Sequence, residues 1–352
     1  MFLELTAAAA IAALVSLIAC RVVMKTGPVD APDAPRKAHA APTPTSGGIG
    51  MAAGFGASLL LFALFSETMR TEVAPRGALL LTLAASFSYV FLFIGFWDDA
   101  RPLTARFKLV LFTIAALGAT FAVGPVRDFP LGGDAVLQLP YVLAFAGTAL
   151  WIFTVVNGVN FMDGANGLAM GSVAVGLAAL ATVSFTHGSA AGLALCLCAI
   201  GAILGFLFWN FPAGRLFAGD SGALFAGALA ALSSVIVIHR TGVSPLIPPI
   251  LFFPLLADVL VTLAWRAWRR RSLFDGHSEH LYQIARHGGM SHAEVAFIYW
   301  SATAACGVIG WLVSTQGNVV PQIVALGALS AAAIVISTAV RRFAGRHGIE
   351  GV

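Results

Sequence analysis

Charged residues are scarce in this chain. Of its 352 residues only 10% are charged, whereas 59% are hydrophobic, and the mean hydropathy is +0.90. An ordinary soluble domain is about 45–50% apolar and about 25% charged, so this composition excludes a soluble domain and a disordered chain. The formal net charge of +4 is too small for a nucleic-acid-binding surface, and no nucleic-acid partner is expected.

Cysteine is also rare, and the first apolar run has no basic segment before it. The four cysteines all lie in or beside apolar runs, so no disulfide framework is predicted. Cys196 and Cys198 have no histidine close to them in the sequence, and packing explains them better than a metal site does. Because the first run begins beside Glu4, we expect a retained membrane span and not a cleaved signal peptide.

Long apolar runs make up most of the chain. Runs of roughly 18 or more apolar residues are typical of membrane helices. The connecting loops are too short for a soluble domain, so residues 1–352 are predicted to form a single all-α, polytopic membrane domain. Eleven spans are predicted, at residues 2–24, 47–66, 77–96, 107–124, 139–156, 167–185, 189–210, 221–238, 245–265, 293–315 and 319–340.

Basic residues are divided unequally between the two sets of loops. With eleven crossings, the odd-numbered loops and the C-terminal tail share one side and contain 16 of the 20 Lys and Arg residues. Cytoplasmic loops carry an excess of these residues, so we expect the C-terminus inside and the N-terminus outside. The polar clusters lie in the same odd loops, which favours a one-sided site over a transport path. These loops are at about 25–46, 97–106, 157–166, 211–220 and 266–292.

The first two of these loops carry a basic and an acidic cluster. Lys37 and His39 are suited to phosphate binding, although taken alone a basic anchor in a proline-rich linker explains them better. Asp98 and Asp99 are adjacent at the end of a membrane span, where carboxylates need a cation. Since neighbouring helical residues point about 100° apart, we expect different partners for the two. A simple ion-pair cluster with Arg101, Arg106 and Lys108 is the alternative.

The next two loops combine amides with carboxylates. Asn157, Asn160 and Asp163 recur at every third residue, so they share a helix face suited to a polar ligand such as a nucleotide. A turn with capping residues is the alternative. Asn210 precedes Asp220, which begins the following span. Asp220 is suited either to capping that helix or to binding a divalent cation together with phosphate oxygens.

The last of these loops contains His277, His280 and Arg286 close to several other arginines. Such residues are suited to holding a pyrophosphate, and topology-setting charge is the alternative. The order of these histidines does not match the HExxH pattern of zinc proteases. Asp258 lies within a predicted span, so we expect it to be paired or to face water.

In combination and in this order, the motifs resemble those of the polyprenyl-phosphate N-acetylhexosamine-1-phosphate transferases, a family that includes phospho-MurNAc-pentapeptide translocase. The resemblance implies a bacterial inner-membrane enzyme with a cytoplasmic site. Such an enzyme transfers a sugar 1-phosphate from a UDP-sugar to undecaprenyl phosphate within the lipid membrane and releases UMP. The matching segments are Arg36-Lys37-x-His39, Pro44-x-x-Gly47-Gly48, Asp98-Asp99, Asn157-x-x-Asn160-x-x-Asp163-Gly164, Asn210, Gly219-Asp220-Ser221-Gly222, Asp258 and His280-x-Tyr282-Gln283.

The resemblance also implies roles for these residues. Asp98 corresponds to a catalytic base or lipid-phosphate contact, and Asp99 to its catalytic or metal-proximal neighbour. Asp220, together with Asp99, corresponds to the ligands of Mg²⁺, for which Mn²⁺ is a substitute. The residues expected to bind substrate are Lys37, His39, Asn157, Asn160, Asp163, Asn210, His277, His280 and Arg286.

Several alternatives stay open on the sequence. The His-x-x-His-x-Tyr-Gln order resembles the branch that initiates O-antigen, but Ser278 stands where that branch often has arginine, so the donor sugar is undecided. Direct displacement is favoured over a covalent intermediate on Asp98. A peptidoglycan translocase is disfavoured because no run of adjacent histidines follows Asp258. A polytopic transporter is a further alternative, and the resemblance is compatible with a homodimer.

Overall fold

The structure is a computed structural model that describes residues 1–26, 29–30, 43–73, 75–273 and 277–349, with residues 29–30 and 75–76 described by their backbone alone. Helices dominate this part of the chain. They are α1 (Phe2–Thr26), α2 (Gly47–Phe65), α3 (Glu67–Thr71), α4 (Pro75–Ala100), α5 (Ala105–Val123), α6 (Tyr141–Met162), α7 (Leu168–Thr186), α8 (Ala190–Asn210), α9 (Gly219–Thr241), α10 (Ile247–Leu251), α11 (Phe253–Trp268), α12 (Leu281–His287), α13 (His292–Ser314) and α14 (Val320–Arg346).

Two short antiparallel ribbons complete the secondary structure of the described residues. Strands β1 (Val29–Asp30) and β2 (Thr43–Pro44) pair with each other, as do β3 (Asp128–Gly132) and β4 (Ala135–Gln138). The β3–β4 ribbon joins α5 to α6 and bonds to the segment before α14, where the Val319 amide donates to the Leu131 carbonyl at 3.1 Å. Neither ribbon is part of the core, so the protein is an all-α structure, as predicted.

Ten of the described helices are long and apolar enough to cross a membrane. They coincide with ten of the eleven predicted spans, and their ends differ from the predicted ends by a few residues. The prediction of a polytopic membrane protein is therefore confirmed, whereas the side on which each terminus lies stays a prediction. Some segments predicted as loops are helical, because α4 continues to Ala100, α6 to Met162 and α12 begins at Leu281.

The remaining predicted span, 245–265, is not one continuous helix, and that prediction is wrong. It consists of α10 and α11, which meet at Phe252. Pro254 has no amide hydrogen to donate, and in a continuous helix its ring would clash with the carbonyl of Ile250, so a break at this point is favoured. The chain still crosses from one face of the bundle to the other. His239 near the end of α9 contacts the Gly124 carbonyl on one face, and Asp258 in α11 accepts from the Leu281 amide on the other.

Helix α9 lies at the centre of the bundle. All its residues from Ser221 to Ile238 are buried, and it packs against α2, α4, α6, α7 and α8. It begins at Gly219, whose positive φ of 71° suits glycine, and it ends at Thr241, before Gly242 with a φ of 69°. Helix α14 is at the opposite extreme, since only four of its 27 residues are buried and it lies at the edge of the bundle.

Glycines let two other helices approach the first turn of α9 very closely. A Cβ atom at Gly95 in α4 would collide with the backbone of Asp220 and Ser221, and one at Gly48 in α2 would collide with Gly222. Small residues allow membrane helices to pack with their backbones in contact. The ends of α2 and α4 are thereby held against the N-terminus of α9.

We expect Gly95→Ala to destabilise the protein by about 1–3 kcal/mol, because the added methyl group overpacks the contact between α4 and α9. Gly147→Ala in α6 is the matched control, since no atom outside its own helix lies within 4 Å of the added Cβ. Both substitutions raise the helix propensity of their position by the same amount. The measurement is the thermal unfolding midpoint of the purified protein in detergent, and an equal midpoint for the two variants would contradict this close approach.

Candidate active site

The adjacent aspartates at the end of α4 have different partners, as their helical geometry predicts. Asp98 is buried, its Oδ1 accepts from the Leu103 amide at 2.7 Å, and its Oδ2 pairs with the Lys108 ammonium. Asp99 turns towards α9. Its Oδ1 accepts from the Asp220 amide at 2.8 Å and its Oδ2 from the Ser221 amide at 3.1 Å.

Asp99 therefore caps the N-terminus of α9. The first amide groups of a helix have no partner within the helix, and a carboxylate placed there is further stabilised by the helix dipole. Both of its oxygens are engaged by backbone amides, so this arrangement already gives Asp99 a structural role. The predicted role of Asp99 as a metal ligand or catalytic residue stays a prediction.

The side chain of Asp220 gathers residues from two other helices. Its Oδ2 accepts from the Lys108 ammonium at 2.9 Å, and its Oδ1 accepts from the Asn160 amide group at 3.1 Å. Lys108 therefore bridges Asp98 and Asp220. It stands in the first turn of α5, which Thr104 caps by accepting from the Phe107 amide at 3.4 Å. Sequence reasoning placed Lys108 only in an alternative ion-pair cluster and missed its contact with Asp220.

The three polar residues on α6 have separate roles. Asn157 is buried and donates to the Phe153 carbonyl of its own helix at 2.8 Å, whereas Asn160 reaches Asp220. Asp163 follows the last residue of α6 and is partly exposed. Burial, followed by the negative charges of Asp220 and Asp99, raises the pKa of Asp163 well above its usual value. A cation that joined Asp163 and Asp220 would relieve this repulsion.

Asn210 connects two loops instead of facing the carboxylates. Its Oδ1 accepts from the Gly167 amide at 2.6 Å, and its Nδ2 donates to the Leu216 carbonyl at 2.9 Å. Its buried amide group thus holds the loop before Asp220 against the turn after Asp163. The structure supports a positioning contribution, and the predicted contact of Asn210 with substrate stays a prediction.

His280 is almost completely buried and begins α12. Asp258 organises this point, since its Oδ1 accepts from the Leu281 amide at 2.9 Å and its Oδ2 from the Tyr299 hydroxyl at 2.6 Å. Asp258 is therefore paired, as expected for a carboxylate in a span. The His280 ring stacks on Phe161 with centroids 6.0 Å apart, and the Tyr282 hydroxyl donates to the Phe161 carbonyl at 3.2 Å. The histidine segment thus contacts the end of α6.

The other residues predicted in this loop lie in two different places. His277 is next to His280, with ring centroids 5.0 Å apart. Burial and the neighbouring positive charges, including that of Arg266, lower the pKa of His277 to about 4, so its imidazole is neutral near pH 7. Arg286 donates to the Met290 carbonyl and lies 3.1 Å from His292 Nε2. Arg286 is thus engaged by the start of α13 and not by the aspartates.

Lys37 and His39 lie outside the described residues. Further along the same loop, the Phe217 amide donates to the Pro44 carbonyl at 2.8 Å and the Gly47 amide donates to the Phe217 carbonyl at 3.0 Å. The end of the first loop is thus bonded to the segment directly before Asp220. This contact confirms that the end of the loop at 25–46 and the loop at 211–220 lie on the same face.

Comparisons with known proteins show what this chain is similar to. Residues 79–238 match the family described as glycosyl transferase family 4. A probable undecaprenyl-phosphate N-acetylglucosaminyl 1-phosphate transferase of Bacillus subtilis is 27% identical over 289 residues, which cover 79% of this chain and 75% of that protein. A decaprenyl-phosphate N-acetylglucosaminephosphotransferase of Mycobacterium tuberculosis is 29% identical over 292 residues, covering 75% and 70%. A phospho-N-acetylmuramoyl-pentapeptide-transferase of Bacillus cytotoxicus is 27% identical over 285 residues, covering 76% and 82%.

Over residues 79–238 the chain is thus similar to glycosyl transferase family 4. The resemblance predicted from the motifs is therefore confirmed. The matched region contains Asp98, Asn160 and Asp220. Lys108 bridges Asp98 and Asp220, and Asp220 also accepts from Asn160. The histidine segment lies beyond the matched residues and joins the site through its contacts with Phe161.

The donor atoms around Asp220 suit Mg²⁺, a hard cation that prefers oxygen ligands. Within the described part of the chain, no three His, Cys, Asp or Glu side chains are placed to hold a metal by themselves. Mg²⁺ is usually bound through one or two carboxylates, with waters and substrate phosphates completing its coordination. Asp220 is a candidate for such a carboxylate, and Asp163, whose pKa is raised by burial and by the negative charge of Asp220, is a second candidate. Both oxygens of Asp99 already bind the amides of α9.

We expect Lys108→Met to destabilise the protein by about 3 kcal/mol, because it leaves the buried Asp98 carboxylate beside Asp220 without its cation. Adding Asp98→Asn should recover most of that stability. Asparagine keeps an oxygen for the Leu103 amide and removes the charge. The measurement is a double-mutant cycle of thermal unfolding midpoints.

Arg106→Met is the matched control for this cycle. Arg106 is an exposed cation in the same first turn of α5, so its removal should leave the midpoint nearly unchanged. If the double variant is less stable than Lys108→Met by the full cost of Asp98→Asn alone, the two residues are uncoupled and the bridge is refuted.

Proposed function

We propose that this enzyme transfers an N-acetylhexosamine 1-phosphate from a UDP-sugar to undecaprenyl phosphate, giving a lipid-diphosphate-linked sugar and UMP. The single observation that carries the proposal is the convergence of Asp98, Lys108 and Asp220 where membrane helices end on one face. At that position a water-soluble donor and a membrane-bound acceptor can both reach the same groups. The names of the Bacillus subtilis and Mycobacterium tuberculosis relatives support a polyprenyl-phosphate acceptor and an N-acetylglucosamine donor.

Charge is the main physical obstacle to this reaction, because both reactants are phosphate anions. Lys108 supplies one positive charge between Asp98 and Asp220. Asp220 and Asp163 would hold Mg²⁺, which offsets the negative charge of the phosphates when bound. Arginines beside the histidine segment add positive charge on the other side of the end of α6.

The favoured chemistry is direct displacement. An oxygen of the lipid phosphate attacks the β-phosphorus of the UDP-sugar, and the bond from that phosphorus to the bridging oxygen breaks with its electrons leaving on UMP. A phosphate monoester is largely ionised near pH 7, so Asp98 has at most one residual proton to accept. Asp98 is suited to this role because it is held in place by Leu103 and Lys108. A labelled phospho-enzyme formed with donor alone would contradict direct displacement.

The proposal includes a place in the cell. UDP-sugars are water-soluble cytoplasmic donors, and the motif-bearing loops are the basic ones, so we place the site on the cytoplasmic side of the bacterial inner membrane. The lipid-linked product would initiate assembly of a cell-surface polysaccharide, for which O-antigen is the candidate favoured by the histidine motif.

The test is a donor panel with the purified protein, undecaprenyl phosphate and Mg²⁺, in which UMP release is measured. We expect release with one or more UDP-N-acetylhexosamines. Release with UDP-MurNAc-pentapeptide alone would instead identify a peptidoglycan translocase, the activity named for the Bacillus cytotoxicus relative. Substrate uptake into vesicles without UMP release would favour a transporter and refute the proposal.

We expect Asp220→Asn to lower turnover by about 100-fold or more while the protein stays folded, because it removes a charge that the reaction requires. Asp128→Asn is the control, since Asp128 is an exposed carboxylate in β3 on the other face. EDTA should abolish activity, and Mg²⁺ or Mn²⁺ should restore it. Full turnover by Asp220→Asn, or activity that survives EDTA, would overturn the metal assignment.

A further inference from the structure

One arginine of the last helix is buried although that helix lies at the edge of the bundle. The buried residues of α14 are Gln322, Ser337, Arg341 and Ala344, and Arg341 is only 5% exposed. Arginine is rarely buried unless its guanidinium is paired. The contacts of Arg341 therefore indicate what this position does.

The guanidinium of Arg341 joins α14 to α11 and to the histidine segment. Its Nη2 donates to the Thr262 hydroxyl and to the Glu279 carbonyl, each at 2.9 Å. The group also lies over the Trp265 ring, 4.3 Å from its centroid. Arg341 is thus fixed by a hydroxyl, a carbonyl and an aromatic face, and the carbonyl belongs to the residue directly before His280.

The side chain of the same glutamate is held by two arginines near the end of α11. Glu279 Oε1 pairs with Arg266 at 2.6 Å and with Arg271 at 3.0 Å. These ion pairs outweigh the effect of burial and lower the pKa of Glu279, so it stays ionised. Glu279 is therefore held at both its carboxylate and its carbonyl, and only Arg341 provides the described hydrogen bond to the carbonyl.

Thr262 connects Arg341 to Asp258, the aspartate of α11 that accepts from the first amide of α12. The Thr262 hydroxyl donates to Asp258 Oδ1 at 3.2 Å while it accepts from Arg341. That same carboxylate oxygen accepts from the Leu281 amide. Arg341 thus holds the residue before His280 directly and the residue after it through Thr262 and Asp258, although it contacts neither Asp98 nor Asp220.

Two buried nitrogen atoms at and beside this segment form no hydrogen bond with the described residues. Arg341 Nη1 and His277 Nδ1 are buried and have no hydrogen-bond partner among the described residues. A polar group that remains buried without a partner costs free energy, so such atoms are favoured positions for contacts with a polar ligand.

We propose that Arg341 is a positioning residue that sets the segment from His277 to Tyr282 for binding of the sugar-nucleotide donor. This inference rests on the proposed function. Arg341 contacts neither Asp98 nor Asp220, so its influence passes through Glu279 and Asp258. Its loss should loosen the donor side of the site and leave the acceptor side as it is.

The experiment compares Arg341→Gln with Arg342→Gln. Arg342 is the next residue and is exposed, so both variants remove one positive charge from the same turn but only the first removes the contact with Glu279. For Arg341→Gln we expect the KM for the UDP-sugar to rise about 10-fold or more, with the KM for undecaprenyl phosphate unchanged. Arg341→Lys should be intermediate, since an ammonium group replaces one of the two hydrogen bonds but cannot stack as guanidinium does.

A second measurement does not depend on turnover. Backbone hydrogen–deuterium exchange of the peptide spanning 277–287 should be faster in Arg341→Gln than in Arg342→Gln, because Glu279 and Asp258 lose a fixed partner. A lower kcat with both KM values unchanged would indicate loss of folded enzyme. Equal exchange rates in the two variants would indicate that Arg341 does not hold this segment in place. Either result refutes the positioning role.

The two proposals fail in different ways. A wild-type protein that releases no UMP with any donor refutes the proposed function and, with it, the donor role of Arg341. A wild-type protein that releases UMP, with Arg341→Gln equal to Arg342→Gln in donor KM, refutes the positioning role alone.

Discussion

A helix that is buried along its length still has unpaired amide groups in its first turn, and α9 meets this constraint with the carboxylate of Asp99. Both oxygens of Asp99 accept from that turn. The cap fixes the end of α4 against α9, and Gly95 allows the backbones to meet. Asp98, the neighbour of Asp99, is then close enough to share Lys108 with Asp220. The acidic half of the site is therefore a consequence of how one buried helix terminus is satisfied.

The same solution occurs at α12, where Asp258 accepts from the Leu281 amide. In both places a carboxylate on one element caps another element that carries a candidate functional residue, Asp220 in the first case and His280 in the second. A polar residue in such a motif can thus be required for architecture as well as for chemistry. Substitutions at Asp99 or Asp258 would change both together, so loss of activity alone would not assign a chemical role to either.

The sequence predicts the arrangement of this site better than its individual contacts. The length of the apolar runs predicts ten of the spans, because it depends only on local composition. The number of spans between two loops then predicts which loops share a face, and so where the motifs meet. The unbroken span at 245–265 was wrong, since Pro254 interrupts it within an otherwise apolar run. From the sequence, Lys108 is placed only in an ion-pair cluster, and Arg341 only among the basic residues of the C-terminal tail. Their roles depend on partners 112 residues away at Asp220 and 62 residues away at Glu279, and no local pattern encodes such distances.

The site has two halves of opposite charge that meet at the end of α6. Asp98, Asp99, Asp163 and Asp220 make one half acidic despite Lys108, and the arginines around Glu279 make the other half basic. The end of α6 serves both, because Asn160 bonds to Asp220 while Phe161 stacks on His280. A diphosphate that touched both halves would need added positive charge on the acidic side and none on the basic side. Binding of a cation and binding of the donor are therefore expected to be coupled through the acidic half, whereas the basic half contributes through the order of its backbone.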